Sequence, residues 1–235
     1  MNENSISTFY ILDFDRTLFM TEKSVEIMRG IVALHNSELA TVLEKRFEEY
    51  TLLGESFSVR EFIVESVGEE EMEKIAAKYH ETAMQYDLLH EGAKELLAYI
   101  RAEDGAQLGI LTYGSQLGQD LKIRAAAGLE NIPFLVTGET YKGALIASWR
   151  QNDGLYHLPE ELGGYAVKTI VFVDDKPFSF KGIPIDCIGY LVKSMYDAGL
   201  EKLPLNVKIV TNLNEVISGE KERLASAYSG QIDKP

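Results

Sequence analysis

The sequence predicts an α/β fold, a parallel sheet flanked by helices with a small all-helical unit inserted after the first strand. Three observations predict it. Short runs of β-forming apolar residues alternate with helical patterns over most of the chain, which is the order of a parallel sheet with helical crossovers. Two of these runs, Phe9–Leu12 and Thr169–Val173, lead directly into acidic residues. Residues 21–85 carry helical periodicity alone.

The first run, Phe9 to Leu12, suits a buried strand that delivers Asp13 to its tip. From Thr21 to Gln85 apolar residues recur at three and four: Leu39, Val42, Leu43, Phe47 and Tyr50, then Met72, Ile75, Ala76 and Tyr79. Ser58-Val-Arg-Glu61 has capping-box spacing, and Gly54 and Gly68 are breaks on either side of the short helix it opens. Glu91–Glu103 reads as a helix with Leu96, Leu97 and Ile100 on one face, stopped by Gly105 before a strand at Gln107–Thr112. A helix over about Ser115–Ala127, a strand at Phe134–Thr137, a helix over about Thr140–Trp149 and the strand Thr169–Val173 continue the alternation. Strand candidates at Cys187–Val192 and Val207–Val210 precede a polar tail from about Gly219, expected to fray after its last helical turns.

A chain of 235 residues accommodates one sizeable core plus a small second unit. Its 46% hydrophobic and 26% charged residues are those of a folded globular protein and exclude a disordered one. The net charge of −14, without a local basic run, argues against nucleic-acid binding. An anionic small molecule would then need a local cationic pocket inside a repelling field. Cys187 is the only cysteine, which excludes an intrachain disulfide or a cysteine-based zinc cluster and reads as a buried thiol. Met1–Thr8 is polar, and the apolar run after it is too short for a signal peptide or a membrane span. A cytoplasmic protein without membrane association is expected.

The chemistry concentrates at strand ends. Asp13-Phe-Asp15-Arg-Thr17 sets two carboxylates one residue apart, and strand alternation would point both to one face. One carboxylate can attack phosphorus while a second protonates the leaving oxygen and then activates water. Ile170-Val-Phe-Val-Asp174-Asp175 ends a second apolar strand in two more acids, which in a parallel sheet opens onto the same edge. Carboxylates converging from two strand ends imply a hard cation, and magnesium fits that donor set.

These residues resemble the haloacid dehalogenase superfamily. Its first motif, Asp-x-Asp-x-Thr, is met by Asp13 to Thr17, and its last acidic motif by Asp174-Asp175. Between them Thr112, ending Leu108-Gly-Ile-Leu-Thr112, matches the threonine or serine that binds the transferring phosphoryl group. Lys142, in Thr140-Tyr-Lys-Gly143, resembles the phosphate-binding lysine, and Lys122 and Lys168 in the same half are alternatives if the strand order slips.

The resemblance spans about Phe9 to Val192 and implies a Rossmann-like catalytic core of residues 1–20 and 86–235, with a helical cap domain over 21–85 that sets specificity. It implies a magnesium-dependent phosphohydrolase acting on a small phosphorylated metabolite. Asp13 is then the nucleophile and Asp15 the acid/base. Asp13, Asp15 through its backbone carbonyl, and Asp174 hold the metal, and Asp175 supports them. Arg16 stands where many relatives carry glycine, and either crowds the site or reaches toward a substrate anion.

Other readings stay beside this one. Transfer to another sugar, as in a phosphomutase, uses the same constellation. A non-catalytic phosphate-ligand-binding module is disfavoured by the intact aspartates, and dehalogenation by the carboxylate at Asp15. Thr112 could cap the next helix, and Asp174-Asp175 could be a turn before Lys176-Pro177. The histidines His35, His80, His90 and His157 lack metal-ligand spacing. The substrate and the oligomeric state are not legible, with Phe19, Met20 and the residues around Gly54 the only contacts to suggest.

Overall fold

A computed structural model of the chain describes residues 6–53, 55–194 and 202–232. Six strands form one parallel sheet: β1 (Thr8–Leu12), β2 (Ala106–Tyr113), β3 (Phe134–Thr137), β6 (Thr169–Asp174), β7 (Ile188–Val192) and β8 (Val207–Val210), in the order β3-β2-β1-β6-β7-β8. The α/β class with a parallel sheet is thus as the sequence predicts. The sequence gives no sign of a separate two-stranded antiparallel ribbon, β4 (Tyr156–His157) with β5 (Ala166–Val167), because its two-residue strands are too short for an alternating pattern.

The strands read as continuous apolar runs because both faces of the sheet are covered. Tyr10, Leu12, Val171 and Val173 belong to one cluster of buried side chains, and Phe9, Ile11, Ile170 and Phe172 to the other. This period-two division fixes the register, since a slip of one residue would exchange the two faces.

Between β1 and β2 lie α1 (Thr21–His35), α2 (Ser37–Leu53), α3 (Val59–Val67), α4 (Glu69–Ala83) and α5 (Ala93–Ala102). Ser58 caps α3 by accepting from the Glu61 amide, as the capping-box spacing predicts, and Gly68 ends that helix with φ 86°. Gly54, the other expected break, lies outside the described residues. Helix α6 (Gln116–Ala125) follows β2, and α7 (Lys142–Ser148) follows β3.

The C-terminal segment differs from expectation. Leu213–Ile232 form one helix, α8, and the supposed start of the polar tail falls inside it. The reason is Glu220, fully buried, which accepts from the phenols of Tyr10 (2.9 Å) and Tyr190 (3.0 Å) and is paired with Arg223 at 2.8 Å. A buried glutamate with satisfied oxygens serves as a core residue but reads as a surface residue in sequence. No helix among the described residues is long and apolar enough to cross a membrane.

Candidate active site

The strand order reverses direction of growth between β1 and β6, and the crevice beyond the carboxyl ends of strands at such a switch point is where open parallel sheets bind ligands. Leu12 pairs with Val173 in register, so the next residues, Asp13 and Asp174, stand side by side. The Asp13 amide still donates to the Val173 carbonyl at 2.8 Å, which holds the aspartate at the strand tip.

Lys142 reaches this pair from the first turn of α7, its ammonium donating to Asp13 Oδ1 and, at 2.8 Å, to Asp174 Oδ2. All three side chains are buried, with Lys142 at 3% exposure. Gly143 permits the approach. A Cβ there would lie 2.8 Å from the Ile183 amide and 2.9 Å from the carbonyls of Phe180 and Lys181, so only glycine lets α7 start against the chain that follows β6. Of the three lysines the sequence leaves open, the structure brings Lys142 to Asp13 and Lys122 to Asp15, whereas the exposed Lys168 precedes β6 at the opposite edge.

Asp15 is placed differently from the strand-alternation argument. β1 ends at Leu12, and the chain turns through residues 14–19, closed by Leu18 and Phe19 amides on the Phe14 carbonyl. Arg16 adopts φ 64°, the left-handed region, where glycine carries no steric cost. Asp15 therefore meets its own partners: Thr21 Oγ1 at 2.8 Å, Gln119 Nε2 at 2.9 Å and Lys122 Nζ at 2.5 and 2.6 Å. Gln119 and Lys122 share one face of α6 at a spacing of three, a pairing the sequence reading passed over. Arg16 extends to Glu22 at 2.5 Å and to Thr51 of α2 at 3.1 Å, with its guanidinium 5.8 Å from the Phe47 ring centre.

The electrostatics of the two aspartates diverge. Burial raises the Asp13 pKa, Lys142 opposes it and Asp174 adds to it, leaving Asp13 at about 6. Burial also acts on Asp15, but Lys122, Gln119 and Thr21 outweigh it and hold Asp15 at about 2. Asp175 is raised well above the carboxylate range by burial and by Asp13 and Asp174. Burial would lower Lys142, yet Asp13 and Asp174 keep it above its ordinary value, so it stays an ammonium.

Among the described residues, the buried polar atoms without a hydrogen-bond partner include three groups of this site: the Thr112 hydroxyl, the Gln119 Oε1 and both carboxylate oxygens of Asp175. Thr112 does not cap α6, a task that falls to Ser115, whose hydroxyl accepts from the Gly118 amide at 3.1 Å. Asp174 does close the turn, with Oδ1 accepting from the Lys176 amide at 2.8 Å, while its Oδ2 faces Lys142. Asp13, Asp174 and Asp175 each bring a carboxylate oxygen within 4.8 Å of the others. Three buried carboxylates so close repel one another, and a hard divalent cation with oxygen ligands fits the set and would satisfy Asp175.

In front of these residues lies a cavity of about 420 Å³ lined by Asp13, Asp15, Thr112 and Lys142, and on its far wall by Phe47, Thr51 and Phe57. Phe19 does not line it, being buried and stacked on Phe14 at 4.6 Å, and Met20 is not among its walls. The stretch around Gly54 contributes Leu53, Glu55 and Ser56.

Solved structures share this architecture. A haloacid dehalogenase-like hydrolase from Burkholderia xenovorans superimposes with a TM-score of 0.59 at 15% identity, over 90% of this chain and 97% of that one. CbbY from Rhodobacter sphaeroides, in complex with phosphate, gives 0.52 at 18% identity over 88% and 95%. The hydrolase YfnB from Bacillus subtilis, bound to magnesium, gives 0.50 at 12% identity over 89% and 96%. No protein-family model and no curated protein sequence matches the chain. The protein has the fold of the haloacid dehalogenase-like hydrolases.

Proposed function

We propose that the chain hydrolyses a small phosphate monoester, with magnesium as cofactor, through an aspartyl-phosphate on Asp13. One observation carries the reading: Asp13, Asp174, Asp175 and Lys142 meet in one buried cluster at the switch point. The phosphate in CbbY and the magnesium in YfnB support the same ligand classes here. Residues 1–20 and 86–235 form the catalytic core in this reading, and 21–85 a cap that limits which alcohols fit.

Thr17 Oγ1 donates to Asp13 Oδ2 at 2.9 Å and fixes the carboxylate's rotation. An Asp13 oxygen attacks phosphorus, the bond to the leaving oxygen breaks, and Asp15 gives that oxygen its proton. Asp15 then takes a proton from water as the water oxygen attacks phosphorus, the bond to Asp13 breaks, and inorganic phosphate departs. The Lys142 ammonium and the Thr112 hydroxyl bind phosphoryl oxygens, and developing charge meets donors already oriented. Asp13, Asp174 and the Asp15 carbonyl, with Asp175 in support, would hold magnesium, which when bound would supply further neutralisation of the phosphoryl oxygens.

The test is magnesium-dependent phosphate release from an aryl phosphate by wild type, Asp13→Asn and Asp15→Asn. Wild type is expected to turn over, Asp13→Asn to fall to background, and Asp15→Asn to be impaired most with poor leaving groups. Full activity in Asp13→Asn would overturn the mechanism.

A further inference from the structure

We propose that Lys122 is a specificity-determining residue that exchanges Asp15 for a second oxyanion, a carboxylate or phosphate on the alcohol portion of the substrate. The inference rests on the reading of Asp15 as the proton-transferring carboxylate. That carboxylate has no lone pair to spare. Oδ1 accepts from Lys122 at 2.5 Å and Thr21 at 2.8 Å, and Oδ2 from Lys122 at 2.6 Å and Gln119 at 2.9 Å. A carboxylate offers about four acceptor sites, so a leaving oxygen can exchange a proton with Asp15 only after one of these donors withdraws.

Lys122 is the donor that can be drawn away. It makes two of the four bonds, and its flexible stem carries a point charge that another anion can capture. A neutral leaving group offers nothing in return, and stranding a half-buried ammonium is costly. An oxyanion on the substrate offers a replacement partner.

The surroundings match such a ligand. Lys122 opens onto the same cavity as Asp13, and Arg16 and Lys176 join Lys142 on its walls. Four cationic side chains and three acidic ones, Asp13, Asp15 and Glu55, line these walls, with Asp174 paired to Lys142 and Glu22 to Arg16, in a chain whose acidic residues outnumber basic ones by 37 to 23. Behind Lys122 a second cavity of about 50 Å³, walled by Met28, Tyr79 and Leu121, leaves its stem room to reorient.

The experiment compares phenyl phosphate with carboxyphenyl phosphate, and propanediol monophosphate with its bisphosphate, on wild type, Lys122→Met and Lys122→Arg with magnesium. Wild type is expected to favour one of the two anionic substrates at least about tenfold in kcat/KM, the worth of one hydrogen bond to a charged group. Which pair shows the preference distinguishes carboxylate from phosphate. The ratio should collapse toward one in Lys122→Met and largely return in Lys122→Arg. A purely structural lysine would scale both members of a pair alike and leave the ratio intact, as would any fault of folding. Lys122→Gln serves if the methionine variant does not fold. A wild-type ratio near one, or a ratio that survives in Lys122→Met, overturns the proposal. Affinities of the matching methylene phosphonates, measured by calorimetry, read the same ratio without turnover. Absence of phosphate release would thus refute the hydrolase reading, while the affinity ratio would still decide the role of Lys122.

Discussion

Replacing Lys142 by methionine removes the cation that, among the described residues, bridges Asp13 and Asp174, and leaves three buried carboxylates facing one another. Methionine keeps most of the lysine stem's volume, so the loss is chiefly electrostatic. Removing one partner of a buried ion pair costs about 3–5 kcal/mol. Proton uptake limits the damage, since neutralising an ordinary carboxylate at pH 7 costs about 1.4 kcal/mol for each unit between its pKa and the pH. A metal-free melting temperature lower by roughly 6–20 °C is therefore expected for a chain of this length. The pH dependence has a definite sign. The Asp13 pKa in the folded protein, about 6, stands above the unfolded value of 3.8, so its contribution to stability is complete below 3.8 and fades as pH rises through 6. Without Lys142 that pKa rises further, so the variant should lose stability more steeply than wild type from about pH 5 to pH 8. Calorimetric melting in the presence of a chelator measures both effects. A variant melting within about 2 °C of wild type at neutral pH, less than one kcal/mol implies, would refute the account of this cluster.

Two further changes probe what holds the site in place. Gly143→Ala sets a Cβ against three backbone atoms at 2.8–2.9 Å, which cannot yield as a side-chain tip would, so α7 must shift and carry Lys142 off Asp13. Phosphate release should fall by about ten- to a hundredfold, since a misplacement of about 1 Å can cost about a hundredfold in rate, and binding of magnesium with beryllofluoride should weaken in parallel. Glu220→Ala leaves the Tyr10 and Tyr190 phenols and Arg223 without their shared acceptor, and a loss of about 3–5 kcal/mol by urea denaturation is expected. Unchanged stability would show that Glu220 is not the anchor of α8.

The aspartates of the site are legible in sequence because strand ends advertise themselves: an apolar run short enough for a strand, then an acid. Register does the rest, since Leu12 opposite Val173 forces Asp13 beside Asp174 whatever the helices do. Lys142 is legible for a related reason, as the first residue of a helix after a strand of the same sheet. Lys122 and Gln119 are not, because their role depends on how α6 lies over the turn at Asp15, and that turn leaves the strand one residue before Asp13. Glu220 is hidden for the opposite reason, since a charged residue buried among phenols has no periodicity that separates it from a solvated one.

The two aspartates are tuned opposite to the roles proposed for them, and that opposition is informative. A nucleophile works as a carboxylate, yet Asp13 is pushed up to about 6, and an acid must carry a proton, yet Asp15 is held at about 2. Environments that push two carboxylates apart identify an acid/base pair, but here a neighbouring charge that a ligand would change adds to burial at Asp13 and, with hydrogen bonds, outweighs it at Asp15. Asp13 is raised by burial and by the acid beside it, and a divalent cation among these carboxylates inverts that effect. Asp15 is lowered against its burial chiefly by Lys122, which a substrate oxyanion would draw away. Cation and substrate together would therefore bring Asp13 and Asp15 to the protonation states that phosphoryl transfer requires.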